Sequence, residues 1–189
     1  DIGREHGLRH AIVAANSALR AGVSIRALRA AVEPMRHWPH VTVPRLAAEW
    51  ADPRCENPGE DLTLLMLKQL GVGLVHPQFG LQDRGRVAWV DFRVGRHLIE
   101  FDGRHKYRRV EAGGFAARSP DEVVWEEKRR QDWVCGFKLG MSRVVWADVQ
   151  PGRWSATQEW LLRDIRDTNA RFGDSIDDLA PYVIRRRRR

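Results

Sequence analysis

Residues 86–102 read RVAWVDFRVGRHLIEFD, and this stretch decides the predicted fold. Apolar and polar residues alternate on both sides of Gly95-Arg96, as expected for two β-strands that each bury one face. A two-residue loop that begins with glycine is typical of a type II′ hairpin turn. The stretch therefore predicts an antiparallel hairpin of strands 86–94 and 97–102.

The two-residue turn also fixes the register of this hairpin. Val94 then faces His97, and the same pairing continued outward puts Asp91 opposite Glu100. Because side chains alternate faces along a strand, Asp102 shares the face of these two acids. The other face is expected to meet the core, with the apolar residues Val90, Phe92, Val94, Ile99 and Phe101.

Three carboxylates in one patch require compensation. Side chains directly opposite each other have Cβ atoms about 4.5–5.5 Å apart, and like charges at that distance destabilise a sheet. A hard divalent cation supplies the compensation, because Mg²⁺ takes carboxylate oxygens as ligands and can generate a hydroxide that attacks a phosphodiester. We therefore predict that Asp91, Glu100 and Asp102 bind Mg²⁺ (or Mn²⁺). The alternative that stays open is neutralisation by arginine without a metal, for which the candidates are Arg93, Arg104 and Arg108.

Two further residues are candidate catalytic groups. Lys106 follows the acids and suits activation of water or balance of the developing negative charge, and it equally suits a solvated basic loop. Glu60 fits a position next to the acid patch. Its place three residues after Asn57, at the start of a predicted helix, equally suits a capping box.

A basic surface for nucleic-acid phosphates is predicted from the charged helix that begins near residue 121. The candidate phosphate-binding residues are Arg104, Lys128, Arg129 and Arg130. The plainer alternative is a solvated helix face, on which Lys128 pairs with Asp132 one turn away. The aromatic residues of this helix, Trp125, Trp133 and Phe137, are predicted to belong to the core.

The predicted order of elements from residue 57 is helix, three strands, helix, strand and helix. This order indicates an α/β fold with a mixed sheet flanked by helices, preceded by an N-terminal helical segment. We predict a helical linker over residues 1–51, a catalytic domain over 52–170 and a basic tail over 171–189.

Composition limits the possible classes of protein. The chain has 189 residues, and five arginines at 185–189 contribute much of its net charge of +7. That run suits either phosphate contacts or a solvated end. No stretch is apolar enough to span a bilayer or to act as a signal sequence, so we predict a cytoplasmic protein without a membrane partner. Cys55 and Cys135 lack metal or redox spacing and are expected to be reduced thiols.

Val90-Asp91-Phe92 and residues 99–103, Ile-Glu-Phe-Asp-Gly, together resemble the PD-(D/E)XK nuclease superfamily. The chain looks most like the branch related to very-short-patch-repair endonucleases, a domain family common in actinobacteria. The helix from Asn57, residues 77–79, 127–132 and 143–145 fit that branch in order, so the resemblance covers about residues 52–150. It implies a restriction-endonuclease-like fold with Asp91 and Glu100 as metal ligands.

The chain departs from the superfamily pattern at one position. The lysine expected two residues after the second acid is Asp102 here, which leaves Lys106 or Lys128 as candidates for its role. Related full-length proteins often carry a winged-helix domain of the type found in abortive-infection antitoxins. Residues 1–50 show no such domain, and we expect it upstream of Asp1.

The predicted function is a Mg²⁺-dependent endonuclease acting on nucleic acid, with DNA favoured over RNA. The alternative is a catalytically inactive, nuclease-like module that binds DNA, such as an antitoxin-type regulator. A third hypothesis is a structural interaction protein whose acids are paired with arginines.

Overall fold

The computed structural model describes residues 1–103 and 120–185 of the chain. The chain divides into two compact units, the first from Asp1 to Gly71 and the second from Val72 onward. The boundary predicted from the sequence lies twenty residues earlier, before residue 52.

The first unit is helical. Its helices are α1 (Ile2–His6), α2 (Leu8–Arg20), α3 (Ile25–Val32), α4 (Thr42–Trp50) and α5 (Pro58–Leu70). Small side chains on α2 and α4 form a buried cluster of Ala11, Ala15 and Ala47. Because alanine side chains are short, the two helices approach each other closely here.

Helix α5 begins and ends where its sequence predicts. The side-chain oxygen of Asn57 accepts hydrogen bonds from the backbone N–H groups of Gly59 and Glu60, both at 3.0 Å. Pro58 occupies the first helical position, where no N–H is required. Gly71 ends the helix with φ of 63°, a left-handed conformation that glycine adopts without strain.

A buried carboxylate on α5 ties this helix to α2. The Asp61 side chain is fully buried and accepts hydrogen bonds from both terminal nitrogens of Arg20, each at 2.9 Å. The amide of Asn16 donates to it at 2.7 Å. This fork-shaped pairing satisfies a charge that would otherwise destabilise the helical unit.

The second unit contains the predicted mixed sheet. Its strands are β1 (Val75–Asp83), β2 (Arg86–Val94), β3 (His97–Asp102), β4 (Gly140–Val145) and β5 (Val183–Ile184), in the order β4-β3-β2-β1-β5. Strands β3 and β4 are parallel, and the other neighbours are antiparallel. The helices α6 (Pro120–Cys135) and α7 (Trp154–Phe172) complete the mixed α/β arrangement.

Helices α6 and α7 cover opposite faces of the sheet. Leu98 on β3 packs with Val134 of α6, whereas the preceding residue, His97, contacts Thr168 of α7. Adjacent residues of a strand point to opposite faces, so each helix lies on its own side. Strand β3 is therefore buried on both faces.

The C-terminal residues extend the sheet instead of forming a tail from residue 171. Leu179 is buried in the core beneath β1, and the N–H of Gln82 donates to the carbonyl of Tyr182 at 2.8 Å. Ile184 then pairs with Gly80 as an edge strand. Arg185 is the last residue that the structure describes.

The predicted hairpin register is confirmed next to the turn. Val94 pairs with His97, and Phe92 pairs with Ile99. Of the two turn residues, Gly95 alone has positive φ, at 55°, as a type II′ turn requires.

His97 lies in a buried polar network on the α7 side of β3. Its Nε2 lies 2.8 Å from the Ser142 hydroxyl, and its Nδ1 lies 2.7 Å from the Thr168 hydroxyl. Ser142 also donates to the Asp164 carboxylate at 2.9 Å. Burial lowers the pKa of His97 to about 4, although the charge of Asp164 acts in the opposite direction.

We expect this histidine to make the protein less stable in mild acid. The unfolded chain binds a proton at His97 near pH 6.5, whereas the folded chain binds it only near pH 4, so unfolding takes up a proton between these values. The contribution of His97 to the free energy of unfolding is complete above pH 6.5 and falls by roughly 3 kcal/mol as the pH approaches 4. Urea denaturation across this range, compared between wild type and His97→Gln, measures the effect.

The control is His6→Gln, at an exposed site in the first unit. The His97→Gln variant should show a shallower dependence of unfolding free energy on pH than either wild type or this control. Equal slopes for all three proteins would mean that His97 is not the responsible group.

Candidate functional site

The ladder between β2 and β3 ends at Phe92 and Ile99. Beyond this pair, the backbone N–H of Phe101 donates to Oδ2 of Asp91 at 2.7 Å. In a continued ladder that N–H would reach the carbonyl of Val90. The Asp91 carboxylate therefore replaces a backbone acceptor at the point where the two strands separate.

An irregular step in β1 lies beside Asp91. Gln78 has φ of 55°, which is uncommon for a residue other than glycine. Pro77 and Phe79 on either side keep their partners on β2, whereas Gln78 and Asp91 drop out of the ladder. Pairing is thus interrupted on both sides of Asp91, at the same level of the sheet.

This irregular step reverses the alternation of side chains along the strands. The Arg93 guanidinium lies over the Phe79 ring, with 5.0 Å between its carbon and the ring centroid, although regular alternation would place the two on opposite faces. Val90 likewise packs in the cluster of Leu98, the ladder partner of Arg93. The prediction that Val90 shares a face with the apolar residues nearer the turn is therefore wrong.

Glu100 points to the α6 side of the sheet and contacts two arginines there. Oε1 accepts a hydrogen bond from Arg130 of α6 at 2.6 Å, and Oε2 accepts one from Arg143 of β4 at 3.3 Å. The Glu100 side chain is only 12% exposed. Pairing with arginine was the predicted alternative to a metal ion, but the arginines observed are not the ones predicted, Arg93, Arg104 and Arg108.

Glu127 of α6 shares the same two arginines. Its Oε1 lies 2.8 Å from Arg130 and 2.6 Å from Arg143. We refer to Glu100, Glu127, Arg130 and Arg143 as the arginine–glutamate cluster. It holds two negative and two positive groups within direct contact of one another.

The charges of this cluster stabilise one another. The hydrogen bond from Arg130 lowers the pKa of Glu127 and raises the pKa of Arg130 in return. Burial acts to lower the pKa of Arg143, but the charges of Glu100 and Glu127 outweigh it and raise that pKa. Both arginines and Glu127 therefore stay charged at neutral pH.

The predicted three-carboxylate patch is not assembled in the part of the chain that the structure describes. There, no three histidine, cysteine or acidic residues lie close enough together to hold a metal ion. Asp102 lies at the end of β3 beside Val145 of β4. Asp91 and Glu100 lie next to the last ladder pair, Asp91 before Phe92 and Glu100 after Ile99. The hairpin therefore brings these two acids to the point where β2 and β3 separate.

A two-carboxylate site fits the chemistry of Mg²⁺. This ion often takes one or two carboxylates and keeps several waters as its other ligands. The hard oxygen donors of Asp91 and Glu100 meet that requirement. In the arrangement observed, the two arginines occupy the same Glu100 oxygens that the ion would use, so ion and arginine compete.

The other site residues predicted from the sequence fall into three groups. Glu60 lies in the first unit, where its carboxylate accepts hydrogen bonds from the backbone of Glu56 and the side chain of Asn57. Lys128 and Arg129 are exposed on α6. Lys106 and Arg104 lie outside the described residues, as do His105, Arg108 and residues 186–189.

Two tryptophans of the second unit have exposed side chains, and the sequence predicted neither of these surface positions. Trp125 on α6 is 65% exposed, so its prediction as a core residue is wrong, whereas Trp133 and Phe137 do pack against the core. Eight residues separate Trp125 from Trp133, and at 3.6 residues per turn they lie about 80° apart around the helix. Trp146, just after β4, is 50% exposed and packs edge-on against Phe101.

Glu127 and Arg143 were not predicted from the sequence as members of the cluster. Glu127 precedes Arg130 by three residues, a spacing that places both on one helix face and was a usable signal. Arg143 carried no local signal, because it reaches Glu100 through the parallel pairing of β3 and β4.

Comparisons with protein-family models, with curated proteins and with solved structures gave no match. Within residues 1–103 and 120–185, no helix combines the length and the apolar character that crossing a bilayer demands. The two cysteines, Cys55 and Cys135, are free thiols.

Proposed function

We propose that this chain is a metal-dependent nuclease that hydrolyses phosphodiester bonds in nucleic acid, with DNA as the first substrate to test. The observation that carries the proposal is the position of Asp91 and Glu100 where β2 separates from β3, next to two charged arginines. The order of three strands, a helix and a strand parallel to the third supports a restriction-endonuclease-like fold.

Each residue has a distinct role in this proposal. Asp91 and Glu100 would hold Mg²⁺ (or Mn²⁺) as the two carboxylate ligands. The bound ion would supply a nucleophilic hydroxide and stabilise charge on the phosphate. Arg130 and Arg143 contact phosphate oxygens, which guanidinium groups bind in a fork-like geometry. Lys106 remains a candidate for assisting the attacking water.

A backbone hydrogen bond orients the Asp91 carboxylate at the proposed metal site. Its Oδ2 is oriented by the Phe101 N–H, an interaction that does not involve another side chain. Glu100 differs, because its partners are two arginine side chains that must release it before it can bind an ion.

A second candidate is a catalytically inactive nucleic-acid-binding module, such as an antitoxin-type regulator. The observation that favours it is the pairing of Glu100 with Arg130 and Arg143, which neutralises this acid without a metal. The aspartate at position 102, where the superfamily has lysine, points the same way. Such a module binds nucleic acid without a metal ion and does not turn it over.

Cleavage assays with Asp91→Asn distinguish the two candidates. Asparagine keeps an oxygen that can accept the Phe101 N–H, so the fold should persist while a charged metal ligand is lost. We expect wild type to cleave plasmid or single-stranded DNA with Mg²⁺ or Mn²⁺ but not with EDTA, and the variant to lose at least about a hundredfold in rate.

The matched control is Asp167→Asn, an exposed aspartate on α7 that should retain full activity. Metal-independent binding of DNA by wild type, with no cleavage under any metal condition, would establish the second candidate instead. Equal activity of wild type and Asp91→Asn would remove Asp91 from the mechanism.

A further inference from the structure

The arginine–glutamate cluster pairs the proposed metal ligand Glu100 with the proposed phosphate-binding arginines. Glu100 is therefore engaged by the very groups that a nucleic-acid backbone would engage. Its side chain is 12% exposed, whereas those of Arg130 and Arg143 are 27% and 36% exposed. The arginines thus lie on the side from which a phosphate can approach.

We propose that Arg130 and Arg143 exchange Glu100 for a backbone phosphate when nucleic acid binds, and that this exchange frees Glu100 to bind the metal ion. The inference rests on the proposed function and adds a regulatory step to the same site. Metal and nucleic acid then bind cooperatively, and the two arginines act as positioning residues.

The charges of the cluster favour this exchange. With Glu100 engaged, two carboxylates and two guanidinium groups cancel. Once Glu100 leaves, Glu127 and the two arginines carry one net positive charge, which attracts a phosphate. Glu100 and Asp91 together then carry two negative charges, which attract a divalent cation.

Glu127 keeps the two arginine side chains in position during the exchange. It lies 2.8 Å from Arg130 and 2.6 Å from Arg143, so it holds both guanidinium groups in place when their contacts to Glu100 break. Arg130 is also placed by α6 itself, since its Nε donates to Glu127 at 3.0 Å. The arginines therefore present a fixed pair of donors to the incoming phosphate.

The exchange also explains why a metal ion alone should bind weakly. An ion at Glu100 in the free protein must displace two cations or lie beside them. Because coupling between two ligands is reciprocal, nucleic acid that removes the arginines strengthens metal binding by the same factor that the metal strengthens nucleic-acid binding.

The test measures Mn²⁺ affinity instead of activity. Electron paramagnetic resonance of free Mn²⁺ gives the dissociation constant for the whole chain, alone and with a phosphorothioate DNA that resists cleavage, after subtraction of Mn²⁺ bound by the DNA. We expect DNA to tighten Mn²⁺ binding by wild type about tenfold. Arg143→Gln should bind Mn²⁺ more tightly than wild type without DNA and should show a smaller effect of DNA.

Two further variants keep the test decisive. Arg143→Lys retains the charge but not the fork-like pair of donors, so the effect of DNA on its Mn²⁺ affinity should lie between those of wild type and Arg143→Gln. A loss of folding would not produce an intermediate effect. Arg163→Gln removes an exposed arginine of α7 and should behave as wild type. Mn²⁺ affinity that is indifferent to DNA, or to Arg143→Gln, would overturn the exchange.

The outcome separates this inference from the proposed function. Coupled binding of Mn²⁺ and DNA without cleavage would leave the exchange standing and remove the nuclease. Cleavage without coupling would leave the nuclease standing and remove the exchange.

Discussion

Replacing Glu100 by glutamine is expected to slow nucleic-acid cleavage by about a thousandfold, or roughly 4 kcal/mol of transition-state stabilisation, while it tightens nucleic-acid binding. Cleavage falls because a neutral amide is a poor ligand for Mg²⁺. Binding strengthens because Arg130 and Arg143 lose one of their two anionic partners and become available to phosphate. The opposite signs of the two effects distinguish this variant from a protein that is simply misfolded.

The measurements are single-turnover cleavage with Mg²⁺ and fluorescence-anisotropy binding of the same oligonucleotide without metal. Glu159→Gln on α7 is the matched control, since it removes one negative charge at an exposed site. Tighter binding by both variants would show that net charge alone is responsible. Unchanged cleavage by Glu100→Gln would eliminate Glu100 as a metal ligand.

The hairpin at the centre of the site was predictable because its determinants are local. A glycine-led turn between two alternating runs fixes the register of the nearest pairs without reference to the rest of the chain. The bounds of β2 and β3 and the pairing of Val94 with His97 are as predicted. The cap at Asn57 was predictable for the same reason, since it depends on residues within one turn.

The irregular step beside Asp91 was not predictable, because its cause lies on another strand. Gln78 adopts positive φ in β1, and nothing in the residues around it indicates this conformation. The alternation assumed for β2 therefore held only between the turn and Asp91. A rule based on a period of two residues fails wherever a neighbouring strand interrupts the ladder.

The arginine partners of Glu100 were missed because their contacts depend on tertiary structure. Arg143 comes beside Glu100 only after α6 crosses over and β4 pairs in parallel with β3. Helix α6 ends at Cys135, and Lys138 has φ of 59° before β4 begins. The sequence thus located the acids correctly on the hairpin but could not assign their charged neighbours.

In the first unit, replacing Asp61 by alanine is expected to lower the free energy of unfolding by about 3–5 kcal/mol. The Asp61 carboxylate is fully buried and accepts from Asn16 and from both terminal nitrogens of Arg20. Its removal leaves a partly buried guanidinium and a buried amide without their main acceptor. Urea denaturation followed by circular dichroism measures the loss.

The pair Asp52 and Arg54 provides the control within the same unit. It is also an aspartate–arginine contact, at 2.6 Å, but the Arg54 side chain is 46% exposed. Asp52→Ala should therefore cost less than about 1 kcal/mol, as is usual for exposed ion pairs. Similar losses for the two variants would mean that burial does not decide the strength of these contacts.

A double variant tests why the loss at Asp61 is large. If the cost of Asp61→Ala comes mainly from leaving Arg20 without a partner, then Arg20→Ala added to it should cost little more, and the two single losses should sum to more than the double loss. Additive losses would instead assign the stabilisation to packing of each side chain separately. A double loss smaller than the sum of the single losses would mean that the unpaired buried charge, and not the number of hydrogen bonds lost, determines the cost of Asp61→Ala.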